Sequence, residues 1–373
     1  MRRLLFFLMI TLFLMIGCED KSTESDTTNP EVMIIYPADG VNIAEGQIVT
    51  IIAEAIDNGN VQKVEFMINE QIENTDNESP YQYAWDTSEK AGTFSITAKA
   101  YDSAGNTGLS EVINVNVIST ELEAEWVSIP AGEYAYGSNH QIQNLDYDYE
   151  IMSLLITNSQ YINYLCAALS AEIINITEEG IFGDYAGDEN FDPGEYEFYS
   201  FYEGGRITWN GVNFIIEEGF ENHPLNEINW FGANAFAEYY GYSLPTEHEW
   251  EKAARAMNTY FFPWGNDIDG SRANYLDSGD PWDNGTTPVG FYNGQNYQGF
   301  QTIDSPSPYG CYDMCGNLYD WTSSWFDQED HVVRGGRYQN PVYDSCLNPW
   351  HRVSALTTSF QSSIGFRCVR TVD

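Results

Sequence analysis

"YGCYDMCGNLYDWTSSWF", residues Tyr309–Phe326, is the stretch on which the fold of the larger part of this chain turns. Glycine, asparagine and aromatic residues crowd it, with little regular patterning. What it offers is oxygen. Asp313 and Asp320 flank a tight Gly316-Asn317 turn whose carbonyls can point inward, and hard oxygen ligands at that spacing suit Ca²⁺ far better than a soft metal. Similar irregular segments fill most of residues 124–371. Helical signals interrupt them at Thr157–Leu169, with Thr157 or Asn158 as cap, and at Trp230–Tyr240. A third lies in "LPTEHEWEKAARA" (Leu244–Ala256), where Thr246 caps and Glu249 three residues later completes a capping box. Long irregular loops in a compact domain need something to hold them, and metal ions or disulfides are the usual means.

Working outward, 373 residues suffice for two domains with separate cores. Aromatics reach 15%, which suits β-rich domains and binding surfaces, although most such side chains serve core packing. The formal net charge is −41, from 15 basic and 56 acidic residues. So acidic a surface repels phosphate backbones and excludes nucleic acid as a partner. The five histidines (His140, His223, His248, His331 and His351) show no metal-ligand spacing, and neither a nucleophile elbow nor a phosphate loop occurs.

The first residues read as a targeting signal. Arg2 and Arg3 precede an apolar run, Leu4–Ile16, too short to span a bilayer but suited to a secretory signal. Gly17 before Cys18 resembles the bacterial lipobox, with Met15 in place of the usual leucine. Cys18 is therefore the expected lipidated N-terminus, and membrane contact is expected through its lipid chains. Residues 18–29 form a polar tether. Export implies an oxidising compartment. Five further cysteines (Cys166, Cys311, Cys315, Cys346 and Cys368) are an odd number, so at least one stays free unless it pairs between chains.

Residues 30–118 alternate apolar and polar residues in short runs: "EVMIIYP", "IVTIIAEAID", "VQKVEFMINE", "YQYAWDT", "GTFSITAKAYD" and "VINVNV". That is the rhythm of a β-sandwich. Asp57-Asn58-Gly59-Asn60 and Ser103-Ala104-Gly105-Asn106 carry hairpin-turn chemistry. The segment resembles bacterial immunoglobulin-like domains, which implies a spacer, since nothing in it clusters for chemistry. Residues 119–123 link it to a second domain, 124–373.

In that second domain "NHPLNEINWFGANAFAEYYGYSLPTEHEWEKAARA", "FFPWGND", "ANY", "TTPVG", the opening stretch, "VVRGGRY" and "IGFRCVR" follow one another. In this order they resemble the formylglycine-generating enzyme (sulfatase-modifying factor) family. Residues Ile174–Phe220 fall between matched segments and look like an insertion. The resemblance implies a C-type-lectin-like α+β fold with much irregular structure, stabilised by structural calcium. The fold class is thus multidomain, an all-β immunoglobulin-like sandwich followed by this α+β domain. The family pattern implies one calcium site from the Asp313 and Asp320 side chains with the Gly316 and Leu318 carbonyls. It implies a second from Asn274, the Tyr275 carbonyl and either Asp280 or Asp283.

Active members of the family carry two cysteines after Arg-Gly-Gly that bind Cu(I) as thiolates. Counted from Gly336, those positions read Asn340 and Ser345, with Cys346 one residue beyond. Cys346 is the only catalytic candidate, and copper is not expected. The family's disulfide from the cysteine at Cys368 runs to a position that reads Ala237 here. Cys346 is the first substitute partner, Cys311 or Cys315 the second. The resulting expectation is an exported, lipid-anchored envelope protein with a non-catalytic domain that binds envelope proteins or organises structure. The alternatives are an oxidase acting on a protein cysteine and a glycan-binding lipoprotein.

Overall fold

A computed structural model describes residues 26–372, apart from residues 202, 203, 283 and 343. The signal segment, Cys18 and most of the tether lie outside the described residues, as does Asp283. Among the described residues no helix is long and apolar enough to cross a membrane.

The N-terminal region is a β-sandwich. Its strands are β1 (Glu31–Tyr36), β2 (Val41–Ala44), β3 (Ile48–Ile56), β4 (Val61–Ile68), β5 (Gln71–Asp76), β6 (Tyr81–Asp86), β7 (Gly92–Asp102), β8 (Thr107–Leu109) and β9 (Ile113–Ile118). All six strands expected from alternation are present; β2, β5 and β8 are additional, and β2 and β8 are short. One sheet runs β1-β3-β6 and the other β2-β9-β7-β4-β5, with β8 on β7. Alternation works as it should. Val64, Phe66 and Ile68 from β4 meet Ile96, Ala98 and Ala100 from β7 in one core, with Ile51 and Trp85 from the facing sheet. The pair β2–β9 is parallel, Val41 opposite Val115 through Ala44 opposite Ile118.

One expected hairpin is corrected. Asp57–Asn60 joins β3 to β4, which belong to different sheets, so the turn crosses the sandwich. Ser103–Asn106 does close a hairpin, β7–β8. Asp102 Oδ1 accepts from the backbone N–H groups of Ala104, Gly105 and Asn106 at 2.9, 2.6 and 2.7 Å.

The C-terminal region is α+β and largely irregular. Strands β10 (Trp126–Ile129), β11 (Gly132–Tyr136), β12 (Gln141–Leu145) and β13 (Tyr149–Met152) precede helix α1 (Asn158–Ser170). The expected insertion folds as β14 (Ile174–Ile176), β15 (Gly180–Tyr185) and β16 (Gly194–Ser200), then the hairpin β17 (Ile207–Trp209)–β18 (Phe214–Ile216). Helices α2 (Trp230–Tyr239) and α3 (Glu247–Arg255) follow, then β19 (Asn296–Tyr297) and β20 (Phe300–Gln301). The last strands are β21 (Tyr319–Trp325), β22 (Asp330–Arg334), β23 (Val353–Leu356), β24 (Ile364–Gly365) and β25 (Val369–Thr371). Sheet β23-β22-β21-β24 carries the opening stretch, and β10-β13-β25 brings the two ends of the domain together.

Each helix starts where its cap signal stands. Thr157 and Gln160 form a capping box on α1, Asn229 caps α2, and Thr246 with Glu249 boxes α3. Tyr161 and Tyr164 on α1 pack on Phe236 of α2 at 5.9 and 5.3 Å between ring centres, and Phe236 meets Phe366 at 5.2 Å. The insertion is part of this core, through Ile174, Ile181, Phe198, Tyr199, Ile207 and Phe214. Its hairpin also reaches the sandwich. Asn213 Oδ1 accepts from the Asn42 N–H at 2.8 Å while its Nδ2 donates to the Gly40 carbonyl at 2.7 Å.

Candidate functional site

Strand β22 ends at Arg334 and feeds a loop that turns on Gly335 and Gly336, at φ +101° and +74°. A side chain at Gly336 would place its Cβ 2.8 Å from the Cys346 carbonyl, so only glycine lets the two limbs of the loop approach so closely. The loop carries Arg337 and Asn340, then Asp344, then a 3₁₀ turn, Ser345–Leu347, that holds Cys346.

Asn340 is locked. Its Oδ1 accepts from the Arg337 N–H at 2.9 Å and from the Tyr319 hydroxyl at 3.2 Å, and its Nδ2 donates to Asp344 Oδ2 at 2.9 Å. Asp344 Oδ1 in turn accepts from the Cys346 N–H at 3.0 Å. The Cys346 thiol is half-buried, and burial raises its pKa above the ordinary thiol value. The loop thus presents one protonated thiol and an amide tied by three hydrogen bonds. A soft cation that needs two thiolates does not fit these residues.

Beside the loop opens a polar cleft of about 460 Å³, lined by Ser200, Glu227, Arg337, Gln339, Phe360 and Ser363 among others. Arg337 lies 5.9 Å from the Tyr319 ring centre and donates to Ser363 Oγ at 2.9 Å. Neither Arg337 nor Ser363 was singled out in the sequence. Arg337 lies within "VVRGGRY" and Ser363 immediately before "IGFRCVR", but their meeting depends on a loop-to-loop contact that spacing does not reveal.

In the first expected calcium set, a buried arginine meets one of the carboxylates. Asp320 is fully buried, and Arg367 Nε donates to its two oxygens at 3.3 and 3.2 Å while Trp250 Nε1 donates to Oδ2 at 2.7 Å. The same guanidinium donates to the carbonyls of Met152, Ser153 and Tyr312. The cation that ties these loops is therefore Arg367 of the "GFRC" segment, and Asp320 has no carboxylate oxygen left unpartnered for a metal. Asp313 sits at φ +56°, accepts from the Gly290 N–H at 2.7 Å, and is pushed up to about 6 by burial. Gly316 is forced by contact: a Cβ there would lie 2.1 Å from the Asn274 carbonyl. Leu318 is buried beside Leu155 and Tyr338.

In the second set, Asn274 Nδ2 donates to the Gly285 carbonyl and the Tyr275 carbonyl accepts from the Ser278 N–H. Asp280 accepts from Ser278 Oγ, the Trp282 N–H and the Tyr292 hydroxyl. Asn274, Tyr275 and Asp280 thus take Gly285, Ser278, Trp282 and Tyr292 as partners, and Asp283 lies outside the described residues.

The expected disulfide is not present in this structure. Cys166, Cys311, Cys315, Cys346 and Cys368 are all unbonded. Cys311 sits with Trp250 and Cys315 with Phe262 and Leu347, while Cys166 and Cys368 belong to the main core, against which Cys346 also packs. Burial raises all five thiols, Cys311 to about 11 and Cys166 to about 12, so each behaves as a small apolar group.

Comparison with known proteins fits this anatomy. Residues 30–98 match a bacterial Ig domain, and residues 115–372 match the sulfatase-modifying factor enzyme 1-like domain. The serine/threonine-protein kinase pkn1 of Chlamydia caviae is 33% identical over 187 residues, 45% of this chain and 27% of the kinase. The formylglycine-generating enzyme of Mus musculus is 30% identical over 167 residues, 39% of this chain and 44% of the enzyme. The inactive C-alpha-formylglycine-generating enzyme 2 of Bos taurus is 32% identical over 158 residues, 39% of this chain and 49% of that protein. The chain thus spans between about a quarter and about half the length of these relatives. With more than half of its residues matching that one domain, the chain belongs to the sulfatase-modifying factor enzyme 1-like family.

Proposed function

We propose that this protein is an exported, lipid-anchored envelope protein whose sulfatase-modifying-factor domain binds or organises other envelope components and does not catalyse oxidation. One observation carries the non-catalytic part. Where the family's first copper thiolate would stand, Asn340 is held by Tyr319, Arg337 and Asp344, and the loop's only thiol is Cys346. An amide is a hard ligand and does not replace a soft thiolate. The polar cleft beside that loop supports binding as its remaining use. The anchoring part rests on the Leu4–Ile16 run and Cys18. Its check is mass spectrometry of the membrane fraction, where an unmodified N-terminus would remove the claim.

The decisive test of function is to incubate the full chain, with Cu(I), reductant and oxygen, with a peptide bearing Cys-x-Pro-x-Arg. No aldehyde is expected. Conversion that disappears in Cys346→Ser would establish the enzyme instead. The inactive relative in Bos taurus fits the first outcome by name only.

A further inference from the structure

The sandwich was expected to be a bare spacer. Among the described residues it nevertheless holds three carboxylates, Asp26, Asp57 and Asp102, with one oxygen from each lying within 4.8 Å of the others. They come from three places in the chain: the segment before β1, the crossing turn between β3 and β4, and the end of β7. Asp102 is 2% exposed and pinned by the N–H groups of Ala104, Gly105 and Asn106 on Oδ1 and by Asn106 Nδ2 on Oδ2 at 2.7 Å. Asp26 Oδ1 accepts from the Thr28 N–H at 2.9 Å and Asn58 Nδ2 at 3.2 Å.

Asp57 supplies the second, independent observation. Its Oδ2 accepts from the Gly59 N–H at 2.9 Å, but its Oδ1 is sealed from solvent and has no hydrogen-bond partner. A carboxylate oxygen deprived of both water and a donor is costly unless a cation takes the donor's place. None of the ion pairs among the described residues involves these three aspartates.

We propose that Asp26, Asp57 and Asp102 form a divalent-cation site that takes Ca²⁺. Three hard carboxylate oxygens gathered this closely suit Ca²⁺, which takes oxygen ligands at about 2.3–2.6 Å in a flexible geometry. Magnesium, at about 2.0–2.1 Å with near-ideal octahedral demands, fits a tighter cage. The bound ion ties the chain that enters the sandwich to two of its turns, so calcium fixes where the flexible tether ends. This inference is independent of what the C-terminal domain binds.

The test uses the full chain and Ca²⁺ itself, by calorimetric titration and by melting in calcium or in chelator, with Asp57→Asn as the variant. Asparagine keeps an acceptor for the Gly59 N–H and removes one charge. The wild type is expected to bind one more Ca²⁺ than Asp57→Asn. Calcium at millimolar levels should raise the sandwich melting temperature on the order of 5 °C in the wild type alone. In chelator the variant should melt at or above the wild type, because one of three mutually repelling carboxylates is gone. Equal ion stoichiometry or an equal calcium-induced shift would overturn the site. So would a variant that melts below the wild type in chelator, which would leave Asp57 only its role in the turn.

Discussion

Single residues decide the middle of the C-terminal domain. A carboxylate at Asp320 looks the same in sequence whether a metal or a guanidinium will meet it. Arg367 lies 47 residues away, and only the fold brings the two together, so spacing along the chain does not reveal this partner. Breaking this buried pair leaves one charge unpaired. Arg367→Met is expected to cost about 3–5 kcal/mol by chemical denaturation. The double change Arg367→Met with Asp320→Leu should recover a large part of that. A single variant as stable as the wild type would deny Arg367 its tying role.

Two buried histidines give the fold an acid limit. Burial lowers His223 to about 4 and His331 to about 3; His331 lies against Trp325 and Trp230 at 3.7 and 4.2 Å between ring centres. Both folded values lie below the unfolded one, near 6.5. The folded state therefore binds fewer protons, and stability present above pH ~6.5 is lost as pH falls toward these values. At pH 5 each should subtract about 2 kcal/mol relative to pH 7.5. His331→Gln should flatten roughly half of the histidine-dependent slope in denaturation curves taken across that range. An unchanged slope would mean His331 is already protonated in the fold.

At the scale of elements, helix α3 shows what was legible and what was not. Its start was plain from Thr246 and Glu249, and the box forms with Glu249 Oε2 2.7 Å from the Thr246 N–H that donates to it. Thr246→Ala should cost about 1 kcal/mol, read as a shifted denaturation midpoint with an unchanged slope. The buried charge on the same helix was not legible. Glu251 is fully buried between Arg255 and Arg334, each 3.0 Å away. Glu247, 7% exposed, shares Arg334 and also pairs with Arg352. A helix with this composition reads as surface-exposed, because two of the three compensating arginines, Arg334 and Arg352, lie on β22 and the loop that follows it. The strands of the sandwich were easier. Their period of two needs no distant partner, whereas the destination of the Asp57 turn depended on which sheet β4 joined.

At the scale of the molecule, the two regions meet where helix α1 approaches β2 and where Asn213, at the tip of a hairpin that the sequence marked only as an insertion, reaches Gly40 and Asn42. The two Asn213 hydrogen bonds to backbone at Gly40 and Asn42 are one part of that contact, of a size that sets orientation more than stability. Asn213→Ala is expected to leave both melting transitions within about 1 kcal/mol of the wild type. It should broaden the distance distribution between the regions in small-angle scattering and speed proteolysis near residues 119–123. An unaltered scattering profile would show that other contacts hold the pose.

The parallel pairing of β2 with β9 has a mechanical consequence. If one end of the sandwich is held at a surface and load is applied through the C-terminal domain, the two strands are dragged lengthwise past each other. Their hydrogen bonds then share the force at once, and they cannot open one after another as in a peeled hairpin. The sandwich is thus built to stay closed under tension, while the contact between the regions, the Asn213 hydrogen bonds with the approach of α1 to β2, gives way first and lets the linker straighten. Stretching single molecules should show a short, low-force extension followed by one abrupt, high-force rupture of the sandwich.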